Sequence, residues 1–329
     1  MQAADVFLPP DPVERYTRLH QELFAEKAWY QESGVLRLAA LVLVPIAGEP
    51  ASLARDVRRL ADELAQQTPW YSSLHNSIRF LFASVLLRRR ERVDTFLAEL
   101  KSAGAHFRQH WKMSAQPFEA LAILALKSQS TDGHVSKEQV ARLAEVWREM
   151  KRYHPWITQR SDWPAAALLC AAPLTPLQIG ERVEAMYSGL DGRGYSKGDA
   201  LQTASHILFF STESAATVSA RFDQIYKAFK QKGLWMHQSD YDDVAMLCFA
   251  PQDAGDLVAR VSEHRERIAN LAPRPSKDDS FGLACGTALI AMLRRSADVA
   301  LLTESQALLR IVAVVQAQQA AVIAASSAG

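Results

Sequence analysis

The feature that most constrains this chain is a recurrence. Short apolar segments rich in small residues begin near Val35, Leu74, Pro117, Trp163, Asp199, Tyr241 and Phe281, spaced about 36 to 46 residues apart, the period of a two-helix repeat. Segments such as VLRLAALVLVP, FEALAILALKS and WPAAALLCAAP are apolar nearly all round, as a helix enclosed by neighbours must be. Between them lie longer stretches, ASLARDVRRLADELAQQ and KEQVARLAEVWREMKRYH among them, whose apolar residues fall on one helical face. Strand signals are nearly absent. The pattern predicts an all-α chain of about seven antiparallel helical hairpins, with an inner layer of buried helices and an outer layer of amphipathic ones. Such a curved α/α array ends as an open superhelix or a closed toroid, and periodicity alone does not separate the two.

No Gly/Ser/Pro-rich linker divides the chain. The reading is therefore one repeat domain over residues 13–325, after an extended lead-in of residues 1–12 marked by Pro9, Pro10 and Pro12, and before a frayed tail at 326–329. The most apolar long stretch, residues 311–329, is broken by Gln316, Gln318 and Gln319 and reads as a docked helix, not a membrane span. Surface contact through that C-terminal helix is the one membrane reading left open. Three widely spaced cysteines, Cys170, Cys248 and Cys285, form neither a disulfide framework nor a metal knuckle and fit a reducing cytoplasm, each expected to be buried and unpaired. The 37 basic and 36 acidic side chains nearly cancel, which removes the global positive field of a nucleic-acid binder. Arg55, Arg58 and Arg59 with Arg88, Arg89, Arg90 and Arg92 make the early hairpins locally basic and read as a solvated face.

One kind of junction leads from each outer helix to its inner partner: an aromatic residue, a polar bridge, then a capping residue. Trp70 leads to Ser72 and Ser73, Trp111 to Ser114, Trp156 to Ser161 and Asp162, Tyr195 to Ser196 and Asp199, and Trp235 to Ser239 and Asp240. The Ser and Asp oxygens are expected to accept from the free N–H groups of the next helical turn. In a stacked array these junctions share one rim, with each aromatic expected to pack against the start of the following helix.

The order of segments resembles a bacterial family known as domain of unknown function 4003. The stretches that carry the likeness are NSIRFLFASVLL at 76–87, EMKRYHPWITQRSDWPAAALL at 149–169 and KGDALQTASHILFF at 197–210. It extends in the same order from about Leu36 to the Ala-rich C-terminus; where relatives have Gly-Asn before the LQ helix, this chain has Gly198-Asp199. The resemblance implies a helical array and brings no activity with it.

Chemistry-bearing constellations are few. Asp240-Tyr241-Asp242-Asp243 has the DxDD form used on α/α toroids by class II terpene cyclases, where a carboxylic acid held protonated in an apolar pocket delivers the proton. The same residues are what a helix start requires, a cap and two first-turn carboxylates. His206 lies inside an apolar helix one turn after Gln202 and reads as a hydrogen-bonded core histidine, with an acid–base or ligand role as the alternative. His106 and His110 share a helical face, but no HExxH accompanies them and Arg108 and Lys112 oppose a dication, so no metal site is expected. The loop Asp191-Gly-Arg-Gly-Tyr-Ser-Lys-Gly-Asp199 has glycines and Lys197 but fails the phosphate-loop pattern and reads as a helix-to-helix turn. No cofactor fingerprint is present. By subtraction, the leading reading is a cytoplasmic repeat protein that binds a protein or small ligand, with nucleic acid not expected. The alternative is an enzyme whose acidic, aromatic pocket uses Asp240, Asp242, Asp243 and His206. Residues placed at the ligand in either case are Trp156, Asp162, Trp163, Tyr195, Lys197, Asp199, Gln202, Trp235 and Tyr241.

Overall fold

Apolar segments without a polar face can be buried only if other helices surround them, and the structure does this with two concentric layers. The computed structural model describes residues 7–29, 31–112, 116–130 and 132–292. Ser114, the C-terminal helix and the tail at 326–329 lie outside that range. Of the described residues 70% are helical and none is in a strand. In chain order the hairpins pair α1 (Pro12–Ala25) with α2 (Ser33–Leu43), α3 (Pro50–Gln67) with α4 (Arg79–Arg89), and α5 (Val93–His110) with α6 (Phe118–Lys127). They continue as α7 (Lys137–Tyr153) with α8 (Trp163–Leu169), α9 (Pro176–Asp191) with α10 (Asp199–Leu208), α11 (Ala215–Gln231) with α12 (Tyr241–Leu247), and α13 (Ala254–Ile268) with α14 (Lys277–Met292). Odd-numbered helices form the outer layer and even-numbered ones the inner.

Local chemistry explains both layers. In α3, Leu53, Ala54, Val57, Leu60, Ala61 and Leu64 are buried at helical spacing while the opposite face is solvated. Every residue of α8 is buried, and its Ala166 and Ala167 let neighbouring backbones approach closely. Outer helices start with caps that the sequence spells out: Asp11 accepts from Glu14 N at 2.9 Å, Asp253 from Asp256 N at 2.9 Å, and Ser136 and Thr175 form reciprocal capping boxes with Gln139 and Gln178. Outer neighbours also pack tightly, because a Cβ on Gly180 of α9 would come within 2.9 Å of the Glu149 Cβ in α7.

The open question of superhelix or toroid is settled by the last hairpin. α14 packs against both α1 and α2, and α13 against α1, so the array closes on itself as a seven-hairpin ring. Two ion pairs span this seam. Arg37 in α2 lies 3.1 Å from Asp279 in α14, and Arg267 in α13 lies 2.6 Å from Asp11 at the start of α1.

At the ends of four inner helices, α2, α8, α10 and α12, an arginine of the outer helix holds the terminating carbonyls. Arg142 of α7 donates to the carbonyls of Cys170 (3.3 Å), Ala172 (2.9 Å) and Leu174 (2.6 Å) just beyond α8. Arg182 of α9 reaches Phe209 O at 3.1 Å and Ser211 O, while Arg221 of α11 reaches Cys248 O and Gln252 O at 2.8 Å each and Ala250 O. Arg15 of α1 does the same for Val44, Ile46 and Gly48. A planar cation with several donors suits the exposed carbonyls and negative dipole end of a terminating helix. Arg260 holds the matching position of α13 and pairs with Glu263 at 3.2 Å; the segment that follows α14 lies outside the described residues. Arg221→Ala is therefore expected to cost about 2 to 3 kcal/mol in urea unfolding, and Arg18→Ala, which loses only an exposed pair with Glu14, under about 0.5 kcal/mol. Equal losses would show that the clamp does not stabilise the inner helix end.

Of the three thiols, Cys170 and Cys285 are buried and Cys248 is half-buried, its Sγ donating to Val244 O at 3.4 Å; none is in a disulfide. No helix among the described residues is long and apolar enough to cross a membrane.

Candidate functional site

All outer-to-inner junctions fall on one rim of the ring, because each hairpin runs in the same direction as the last. Their polar residues act in two ways. Ser72 caps forward as expected, accepting from Leu74 N at 3.2 Å, and at the last junction Ser276, which sequence reasoning did not single out, accepts from Asp279 N at 3.0 Å. Asp162 and Asp240 do not. Each reaches back three residues, to Gln159 N and to His237 N, both at 2.7 Å. The reason is the 3-10 turn that precedes α8 and α12: it already puts Asp162 and Asp240 near φ −89° and −97° with ψ close to zero, a conformation from which the side chain closes the turn behind it. Asp199 makes no side-chain cap either. The extended φ of +133° at Gly198, a conformation that favours glycine, sets the entry to α10, and Gly198 N donates to Tyr187 Oη at 3.2 Å.

The junction aromatics also divide, against the expectation that all five pack inward. Trp111 lies 4.3 Å, ring centre to ring centre, from the fully buried Trp163, and Tyr195 stands edge-on to Phe222, Tyr226 and Tyr241 at 4.9 to 5.4 Å. Trp70, Trp156 and Trp235, by contrast, are 82%, 90% and 84% exposed. Where a seam is already filled, by Trp163 between α5 and α8 or by Tyr241 beside α11, the ring before it has nowhere to enter. Trp29 and Tyr71 are exposed at the same point of the repeat, at 92% and 76%. Sequence reasoning passed over these two, although both follow an outer helix and precede a polar bridge.

Beneath the rim, hairpins four and five bring several of the expected residues together. Asp162 and Asp199 are close enough that the second raises the pKa of the first, and with desolvation as the main cause the Asp162 carboxyl is pushed up to about 7 despite its hydrogen bond from Gln159 N. Gln202 donates to Thr158 Oγ1 at 2.7 Å while its own carbonyl oxygen is buried without a partner. One turn on, His206 is buried with Nε2 unpartnered, which departs from the expected hydrogen-bonded core histidine; burial, aided by the field of His154, pushes its pKa down to about 3. Burial also raises Asp240, whose carboxylate neighbours are Asp278 and Asp242. The DxDD string and His206 thus answer to different surroundings: Asp240 to the α14 side, His206 to His154. Tyr241 accepts from Ser196 N at 3.4 Å, and Lys197 is drawn 3.2 Å from Asp191 across the glycine loop, which is a helix-to-helix turn.

No group of three His, Cys, Asp or Glu side chains among the described residues could hold a metal ion. His110 is exposed beside Trp111 at the end of α5. The early arginines are engaged locally: Arg58 with Leu23 O and Glu26, Arg59 with Asp56, and Arg92 with Asp94 at 2.6 Å.

Asp162 offers a direct test. Its native pKa lies above the unfolded value of 3.8, so the fold binds the proton more tightly than the unfolded chain and loses stability as pH rises from 3.8 through about 7. Asp162→Asn keeps an acceptor for Gln159 N and removes the charge. It should unfold at higher urea than the parent above about pH 7, by about 1 to 2 kcal/mol, and match it under mild acid. A constant difference across pH would refute the assignment.

A search of solved structures returns no match. The chain is 29% identical over 260 residues to the uncharacterised protein YeaA of Bacillus subtilis (strain 168), an alignment that covers 78% of this chain and 76% of the relative. The profile described as "Protein of unknown function (DUF4003)" matches residues 15–320, nearly the whole ring, and the chain belongs to that family.

Proposed function

We propose that this protein is a cytoplasmic binding protein that presents the junction rim to its partner. One observation carries the reading: of the large apolar side chains exposed among the described residues, Trp29, Trp70, Tyr71, Trp156 and Trp235 stand on this rim, and Leu177, at the start of α9, stands on the other. Apolar surface of this size, held out on connecting segments by a rigid scaffold, is what binding faces use, and Trp and Tyr are the side chains that carry most binding energy. The inner helices point the same way, since α6 and α8 are buried on nearly every side and leave the rim as the accessible surface. Three cysteines that form no disulfide agree with a reducing compartment.

The test is site-specific photocrosslinking in the cells that make the protein. A benzophenone amino acid placed at Trp70, Trp156 or Trp235 should give adducts, and one at Leu177 should not. Equal yields from both rims, or none from the junction rim, would refute the reading.

A further inference from the structure

We infer that the occupant of the junction rim is a lipid bilayer surface carrying anionic headgroups, an inference that rests on the rim being the binding face. The first argument is arrangement. The exposed aromatics belong to hairpins one, two, four and six of a closed ring, so they encircle the face and do not gather in one patch. A protein partner is usually held by a central cluster of anchors ringed by weaker contacts. Side chains spread round a rim can be engaged together only by a surface as wide and flat as the ring itself, and a bilayer is such a surface.

The second argument is side-chain chemistry. The protruding residues are four indoles and a phenol, with no exposed Leu, Ile or Phe among them. An aromatic body with one polar N–H or O–H settles at the headgroup level of a membrane, half in the acyl boundary and half in water.

Charge supplies the third. Among the described residues the junction rim exposes Lys112, Arg160, Arg193, Lys197, Lys232, Arg274 and Lys277 against Glu26, Glu32, Asp199 and Asp278, while the opposite rim exposes Glu49, Asp94, Asp132, Glu213, Asp253 and Asp256 against Arg90, Arg92 and Lys137, and no Trp, Tyr or Phe. The ring is thus polarised. An anionic leaflet attracts the first rim and repels the second, which orients the aromatics toward the surface. No described helix crosses the bilayer, so the association is peripheral and reversible, as it is for proteins anchored by a few interfacial side chains and a modest basic patch.

The experiment is flotation of the purified full chain with vesicles of phosphatidylcholine, with and without phosphatidylglycerol. Wild type should float with the anionic vesicles, less with the neutral ones, and less again in high salt. The triple variant Trp70→Ser, Trp156→Ser, Trp235→Ser should lose about a hundredfold in partition, since each ring withdraws roughly a fifth of its apolar area from water on binding. Leu177→Ser should float as wild type. All four sites are exposed, and unchanged thermal melts establish that the variants are folded. No flotation of wild type overturns the proposal, as does flotation that the triple variant retains. If vesicles fail while Trp70, Trp156 and Trp235 still crosslink in cells, the membrane assignment falls and the rim as a binding face stands; if both fail, so does the rim.

Discussion

Replacing Arg37 with alanine should weaken the protein more than any other single surface or seam substitution, by about 3 kcal/mol in urea unfolding. Arg37 closes the ring. Its guanidinium bonds Asp279 Oδ2 and the carbonyls of Pro273 and Arg274 at 3.1 to 3.2 Å, and it faces the Phe24 ring at 5.8 Å, so one buried side chain ties α2 to α14 and to the loop before it. Truncation leaves two carbonyls and a carboxylate without their charged donor in a seam that water enters poorly, and losses of that kind are larger than the net value of the bonds themselves. Arg267→Ala is the control. Its pair with Asp11 crosses the same seam but is more than a third exposed on both sides, and exposed pairs contribute under about 1 kcal/mol. Hydrogen exchange should also quicken first in α14 and α1 of the Arg37 variant, because opening the seam frees those helices before the rest. Similar losses for the two arginines, or exchange that quickens uniformly, would show that closure does not depend on Arg37.

Acidification should unfold this protein cooperatively between about pH 6 and pH 4, driven by three buried histidines. Burial holds His206 down to about 3, and His20 and His264 down to about 4, with the cation Arg37 adding to the effect at His20. Each stays neutral in the fold and protonates near 6.5 once unfolded, so the unfolded chain takes up more protons. The stability they contribute is complete above about 6.5 and drains away as pH falls toward 4. Each site costs up to about 1.4 kcal/mol per pH unit, and three together rival the whole stability of an ordinary domain within two to three units. Asp162 works in the opposite sense, regaining stability as it protonates below about 7, which offsets one histidine and leaves a net loss. His20 stacks on Phe24 at 4.1 Å with both ring nitrogens unpartnered, so His20→Phe should be tolerated and should lower the acid midpoint by about half a pH unit. Combining it with His206→Gln should lower it further. An acid midpoint that neither variant moves would place the proton uptake elsewhere.

The alternation of enclosed and amphipathic helices was legible because it is local information: an apolar segment such as residues 163–169 has no face for water wherever it sits, and ASLARDVRRLADELAQQ has only one face to bury. Starts of outer helices were legible for the same reason, since Ser136 with Gln139 and Thr175 with Gln178 meet within a single turn. The arginine clamps were present in the sequence as one Arg about two turns into successive outer helices, but an Arg at that spacing also suits a solvated face. Only the distance to carbonyls about 30 residues away, as from Arg221 to Cys248 and Gln252, identifies it as a clamp.

Of the site, the sequence placed Asp162, Asp199, Asp240 and the junction aromatics at one repeat point, and the structure keeps them on one rim. Which way each side chain faces was not legible, because that depends on whether the adjoining seam is already full. Trp163 fills its seam and shelters Trp111, whereas Trp156, seven residues earlier, is left in water. Ring closure lies furthest from the sequence. Each hairpin adds one small rotation to the last, so open and closed arrays differ by a sum of angles that no local pattern records. The contact of α14 with α1 and α2, and Arg37 reaching Asp279 across 242 residues of chain, decide it only when the whole ring is assembled.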